Sequence, residues 1–169
     1  AKSEKFIIPA FNTNNIEITK AIITGAEKLN SAAIVQISPA SADLSSYETI
    51  YKVFSSLADK SNAPLYMHLD HGKKFEHVKK AVFAGFNSIM IDGSLLDYEE
   101  NIELTKSVAE YCHRLNIPVE AEIGTIIGKE DDMSSEKSYC TDPNVVNDFY
   151  TRTGCDTVAV SIGNVHGLN

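Results

Sequence analysis

Apolar and polar positions follow two alternating periods along the chain. Short apolar runs suited to buried strands fall at residues 6–10, 33–37, 65–69, 88–91, 119–123 and 157–161, lengths that fit strands better than helices. Between them the apolar spacing changes to three and four residues, the signature of one buried helix face. Ile18, Ile22, Ala26 and Leu29 form one such stripe, and Ile50, Val53, Phe54, Leu57 and Ala58 a second. Phe75, Val78 and Val82 form a shorter one; Ile102, Thr105, Val108, Ala109, Cys112 and Leu115 form a long one, and Val145, Val146 and Phe149 end the series. Helix starts carry their own signals. Asn14 with Glu17, and Asp97 with Glu100, have capping-box spacing, in which each side chain satisfies a backbone N–H of the other residue's turn. Asp142 before Pro143 places an acidic cap ahead of a residue with no N–H to lose.

Strand and helix in regular succession predict βα units around a parallel sheet, hence an α/β fold. No internal repeat, low-complexity tract or linker interrupts the pattern, so residues 1–169 read as one domain. Two architectures meet this description: an open doubly wound sheet and a TIM (β/α)8-type barrel. Eight barrel units take about 250 residues, roughly 31 each, so 169 residues hold only five to six. The strand count is six, and length by itself favours the open sheet.

Composition narrows the function classes. With 43% hydrophobic and 22% charged residues, the chain is an ordinary globular sequence rather than a fibrous or disordered one. Acids outnumber bases 23 to 15, net −8, which leaves no basic stripe to follow a nucleic-acid backbone. No apolar run approaches the roughly 20 residues that a bilayer requires, and residues 1–5 carry charge without the apolar core of a signal peptide. Neither a nucleic-acid nor a membrane partner is expected. The three cysteines, Cys112, Cys140 and Cys155, are odd in number and lack a C-x-x-C pair, which argues against disulfides and a thiolate zinc site. Cys112 falls on an apolar stripe and reads as a core residue, and a reducing, cytoplasmic location follows.

In both architectures ligands bind at the carboxyl ends of the parallel strands. Each predicted strand ends in polar groups: Asn12 after the first, Ser38 after the second, His68, Asp70 and His71 at the third. Asp92-Gly93-Ser94 follows the fourth, Glu120-Ala121-Glu122 closes the fifth, and Gly163 to Gly167, with His166, follows the last. His71 and His166 are candidate nitrogen ligands of a shared metal, since imidazole suits zinc; the rival is a strand-end turn whose histidines only bond backbone. No third such histidine is evident, and His77 and His113 read as solvated helix positions. Acids at strand ends are costly to bury unless paired or bound to a cation. The chain has only two arginines, Arg114 and Arg152, both on helices, so Asp92 and Glu122 become further candidate metal positions. Residues 124–138, GTIIGKEDDMSSEKS, predict a mobile loop. Its Glu130, Asp131 and Asp132 form either a solvated charge run or a source of one acid that moves a proton. Phosphate-loop, dinucleotide, nucleophile-elbow and metalloprotease motifs are absent. No lysine ends a strand, which disfavours a Schiff base, so carbonyl chemistry here calls for a metal.

The segments IPAFN at 8–12, LYMHLDHG at 65–72, IMIDGS at 89–94, VEAEIG at 119–124, GKEDDMS at 128–134 and GNVHG at 163–167 together resemble the class II, zinc-dependent ketose-bisphosphate aldolases. The likeness lies on the fructose- and tagatose-bisphosphate branch. It implies a TIM barrel that cleaves a ketose 1,6-bisphosphate into dihydroxyacetone phosphate and glyceraldehyde 3-phosphate. By motif, Asp70 is the acid that protonates the aldehyde oxygen and Glu130 the base at the carbon beside the carbonyl. His71 and His166 bind Zn2+, Asp92 and Glu122 hold it in an alternative position, and Asn12, Gln36 and Ser38 line the substrate pocket. Gly167 stands where backbone groups help bind substrate phosphate and a monovalent cation, Na+ or K+. The resemblance further implies a homo-oligomer, and two more βα units beyond residue 169 that supply a third zinc histidine and a phosphate loop. Another zinc-dependent barrel enzyme, such as a hydrolase, and a truncated, non-catalytic relative are the alternatives.

Overall fold

A computed structural model describes residues 6–124, 128–130, 133–135 and 140–163, the two short central stretches by their backbone alone. By contact density the chain divides into two units, one of residues up to Asp70 with Lys79–Ser88, the other of His71–Val78 with residues from Ile89 onward.

The first unit contains β1 (Ala10–Asn12), α1 (Ile16–Leu29), β2 (Ala33–Ile37), α2 (Pro39–Ser45), α3 (Tyr47–Ala58) and most of β3 (Leu65–Gly72), together with the second half of α4 (Phe75–Ala84). Its strands are parallel and follow chain order. Asn12 pairs with Gln36, and Gln36 with His68, so these three stand in one row across the strands. Along β2 burial alternates: Ala33, Val35 and Ile37 are buried, Ile34 and Gln36 only half-buried, as a strand with one face toward helices requires. Strand β1 begins later than the apolar run at 6–10 predicts. Pro9 has no N–H to give a ladder; its carbonyl accepts from Ile34 N at 2.9 Å, and register starts at Ala10. Phe6 and Ile7 are exposed.

Helix α1 is capped by Asn15, one residue after the predicted Asn14; the Asn15 Oδ1 accepts from Ile18 N at 2.8 Å. Helix α2 does not show in the apolar pattern because seven residues hold too few repeats. Its start is nevertheless explicit: Ser38 is the N-cap and Pro39 occupies the first turn. The core of this unit gathers Phe86 against Tyr47 and Tyr51, with ring centroids 6.0 and 6.1 Å away. Gly85 has φ +110°, and a Cβ there would lie 2.5 Å from the Tyr51 ring, so both conformation and space demand glycine.

The second unit contains β4 (Ser88–Ile91) from Ile89 on, α5 (Tyr98–His113), β5 (Val119–Ile123), the antiparallel pair β6 (Gly128–Glu130) and β7 (Met133–Ser135), α6 (Pro143–Thr153) and β8 (Thr157–Val160). Strands β4, β5 and β8 are parallel, with Met90 opposite Glu120 and Glu120 opposite Thr157. Both predicted caps are present. Glu100 accepts from Asp97 N at 3.3 Å, and Asp142 accepts from Asn144 N at 2.9 Å. Ile89, Ile91, Val108, Val119, Ala121 and Phe149 are fully buried. Cys112 joins them as the stripe predicts; burial pushes its thiol up to about 11, so it is a protonated core group. His113 is not simply solvated: its Nε2 lies 2.9 Å from Asp156 Oδ2. His77 likewise accepts from Lys73 N at 3.3 Å. No helix among the described residues is long and apolar enough to cross a membrane.

Candidate active site

Polar side chains gather at the carboxyl ends of the strands in each unit. In the first, the row formed by Asn12, Gln36 and His68 continues two residues along β3 to Asp70, which therefore shares its face. Asn12 Nδ2 donates to Asp70 Oδ2 at 2.7 Å and Gln36 Nε2 to the same oxygen at 3.0 Å. Gln36 also donates to Asn12 Oδ1 at 3.0 Å. Two neutral amides thus hold a buried carboxylate through one oxygen, which fixes its plane; hydrogen bonds to a charged group are the stronger kind. His68, 4% exposed, stands beside them with Nδ1 2.7 Å from Ser88 Oγ.

In the second unit His71, Asp92 and Glu122 converge. Asp92 and Glu122 lie two residues beyond the Met90–Glu120 pair, so they are cross-strand neighbours on one face. His71 by regular alternation belongs on the face of Leu69, but its φ of +47° breaks the alternation. Its Nδ1 lies 3.0 Å from Asp92 Oδ2 and 3.4 Å from Glu122 Oε2. One ligand atom from each residue falls within 4.8 Å of the others. Burial raises the Asp92 carboxyl, but hydrogen bonds from His71 and from the Ser94 side chain and backbone outweigh it and hold the group down at about 2. Asp92 is therefore ionised at neutral pH. A nitrogen and carboxylate oxygens, largely removed from water, form a donor set that suits a divalent cation and matches zinc chemistry.

Of the residues singled out from the sequence, Asn12, Gln36 and Asp70 are together, and so are His71, Asp92 and Glu122. Ser38 is buried and caps α2, with Oγ 3.4 Å from Ser41 N. Glu130 lies on β6, and its side chain is outside the described residues, as are Asp131, Asp132, His166 and Gly167. From the sequence, Ser94 is one of the polar residues after β4 and has no assigned role, and Asn101 is not singled out. Ser94 donates to Asp92 from N at 3.0 Å and from Oγ at 2.6 Å. Asn101 Nδ2 donates to the Glu122 carbonyl at 2.9 Å. A signal for Asn101 exists, since it stands on the buried stripe of α5, four residues before Thr105.

Comparison with known proteins settles what kind of chain carries this site. The family model for class-II fructose-bisphosphate aldolase matches residues 1–169. The chain belongs to that family. A fructose-bisphosphate aldolase of Staphylococcus epidermidis is 39% identical over 170 residues, covering 99% of this chain and 59% of its own length. The solved YdjI aldolase from Escherichia coli K12 matches with a TM-score of 0.86 at 36% identity, covering 99% of this chain and 58% of its own. A solved fructose-bisphosphate aldolase from Campylobacter jejuni matches at 0.82 and 26%, covering 99% and 56%. The chain thus spans about three-fifths of the length of the curated relatives it matches. The fold class is α/β of the TIM-barrel type, with six strands of its sheet among the described residues, rather than the doubly wound sheet that length favours.

Proposed function

We propose that the full-length protein of this class-II aldolase chain is a lyase that reversibly cleaves fructose or tagatose 1,6-bisphosphate into dihydroxyacetone phosphate and glyceraldehyde 3-phosphate. The observation that carries this reading is the end of β3, where Asp70, oriented by two amides, is followed directly by His71, gathered with two acids. His71, Asp92 and Glu122, with His166, would hold zinc. A bound zinc ion supplies Lewis-acid stabilisation of the negative charge that develops on the substrate's carbonyl oxygen.

The remaining chemistry falls to proton transfer. In cleavage Asp70 takes the proton of the hydroxyl whose carbon becomes the aldehyde, and in condensation it returns that proton to the aldehyde oxygen. The Asn12 and Gln36 amides keep its carboxylate in one plane, so the proton is exchanged at a fixed position. Glu130 carries the complementary proton at the carbon beside the carbonyl of dihydroxyacetone phosphate. Asn12, Gln36, Ser38 and Gly167 contribute to the substrate pocket, and Gly167 to a monovalent cation. The same reading makes the enzyme a cytoplasmic homo-oligomer.

The test uses the full-length protein, stripped of metal and then resupplied with zinc, with each ketose bisphosphate as substrate. Zinc-dependent release of triose phosphate supports the reading, and the sugar consumed identifies the substrate. Release from neither sugar overturns it.

A further inference from the structure

We infer that the turn Asp92-Gly93-Ser94 and the α5 residue Asn101 form one bracket that presets Asp92 and Glu122 for metal; this rests on the metal reading above. Ser94 acts on Asp92 directly. Its N–H and O–H both donate to Oδ1, at 3.0 and 2.6 Å, which turns the other oxygen, Oδ2, toward His71 Nδ1 at 3.0 Å. Asn101 acts on Glu122 through the main chain. It is buried, and its Nδ2 donates to the Glu122 carbonyl at 2.9 Å while its Oδ1 accepts from Thr105 Oγ at 3.0 Å. The two bonds fix which way the amide faces.

Gly93 joins the two halves. A Cβ at this position would stand 2.3 Å from Asn101 Oδ1 and 2.7 Å from its Cγ. The glycine therefore gives room rather than an unusual backbone angle, and any side chain there pushes Asn101 off the Glu122 carbonyl. Three consecutive residues have distinct tasks: Asp92 presents a ligand oxygen, Gly93 admits the residue that holds Glu122, and Ser94 aims Asp92. Ser94 and Asn101 are positioning residues, since each acts through an acid of the cluster and neither is one of its three donors. Partners of this kind commonly alter metal affinity about 10–100-fold.

The experiment measures, in the full-length protein, zinc affinity by chelator competition, the visible absorption of the cobalt-substituted form, and unfolding of the metal-free form. Ser94→Ala is expected to weaken zinc binding about 10–100-fold and shift the cobalt bands, while the metal-free form still unfolds in one cooperative transition; Ser94→Thr, which keeps the hydroxyl, restores both. Gly93→Ala is expected to weaken metal binding as Asn101→Ala does, and the double variant to lose no more than Asn101→Ala alone. Should Asn101→Ala fail to fold, the Ser94 pair decides. Wild-type affinity and spectrum in Ser94→Ala, or additive losses at Gly93 and Asn101, overturn the bracket. A wild-type protein that binds no zinc, or His71→Ala with undiminished zinc, instead overturns the metal reading beneath it.

Discussion

The two polar clusters solve opposite electrostatic problems. In the first unit a single acid, Asp70, is met by neutral amides from Asn12 and Gln36, both on the same oxygen. In the second, one imidazole is crowded by two acids, Asp92 and Glu122. Amide donors orient a carboxylate without contributing a full charge, which suits a group that must gain and lose a proton. Two acids against one imidazole call for a further positive charge, which suits a group set that holds a cation. On the proposed reading, consecutive residues of β3 thus serve different kinds of chemistry.

The sharpest way to break this contrast is His71→Ala in the full-length enzyme. Metal content is expected to fall, and turnover with it, by more than the roughly 10²–10⁴-fold due to a proton-transfer residue; metal analysis beside a triose phosphate assay reads both. Asp70→Ala comes next. Its turnover falls about 10²–10⁴-fold while bound metal stays at the wild-type level and proton exchange on dihydroxyacetone phosphate persists. Loss of metal from that variant would merge the two clusters into one. Glu130→Gln tests the partner proton: kcat drops with KM nearly unchanged, and the reverse split would remove it from the role of base.

Gln36→Ala is smaller. It takes one hydrogen bond from a charged acceptor, about 1.5–3 kcal/mol, and leaves the Asn12 bond to Asp70 in place, so a loss of at most about 10–100-fold in kcat is expected. The smallest effect lies outside both clusters, at Asp156. Burial raises its carboxyl, but the Val119 N–H and His113 outweigh that and hold it below the usual range. The folded chain therefore releases this proton more readily than the unfolded one. Its stabilising contribution is present above the ordinary carboxylate pKa of about 4 and fades as pH falls through the lower folded value. Asp156→Asn should flatten that part of an acid-unfolding profile while sparing metal content.

Legibility from sequence followed the physics of each signal. Strands β2 and β4 announce themselves because buried parallel strands are nearly continuous apolar runs, β5 because Val119, Ala121 and Ile123 alternate with polar residues, and long α5 because four turns repeat its stripe. Strand β1 was displaced because an apolar run records burial preference, whereas Pro9 decides where a ladder can begin. Helix α2 escaped because a cap and a proline were its only marks. At the site, residue types and strand-end positions disclosed Asp70, His71, Asp92 and Glu122. Grouping them into two sets needed coordinates, since a pairing such as Asn12 with Asp70 spans 58 positions. The parts played by Ser94, visible at its strand end, and by Asn101 were hidden because they act through hydrogen bonds that periodicity does not encode.

The left-handed backbone of His71 also bears on how this position can vary through descent. A substitution there meets two independent filters, ligand chemistry and tolerance of φ +47°. β-Branched and bulky residues fare worst at the second whatever their chemistry, glycine passes it most readily, and asparagine and aspartate come next. A saturation library at position 71, sorted first for folding and then for metal, should therefore shrink twice. The survivors of the first sort would report the bend in the strand, independent of any ion.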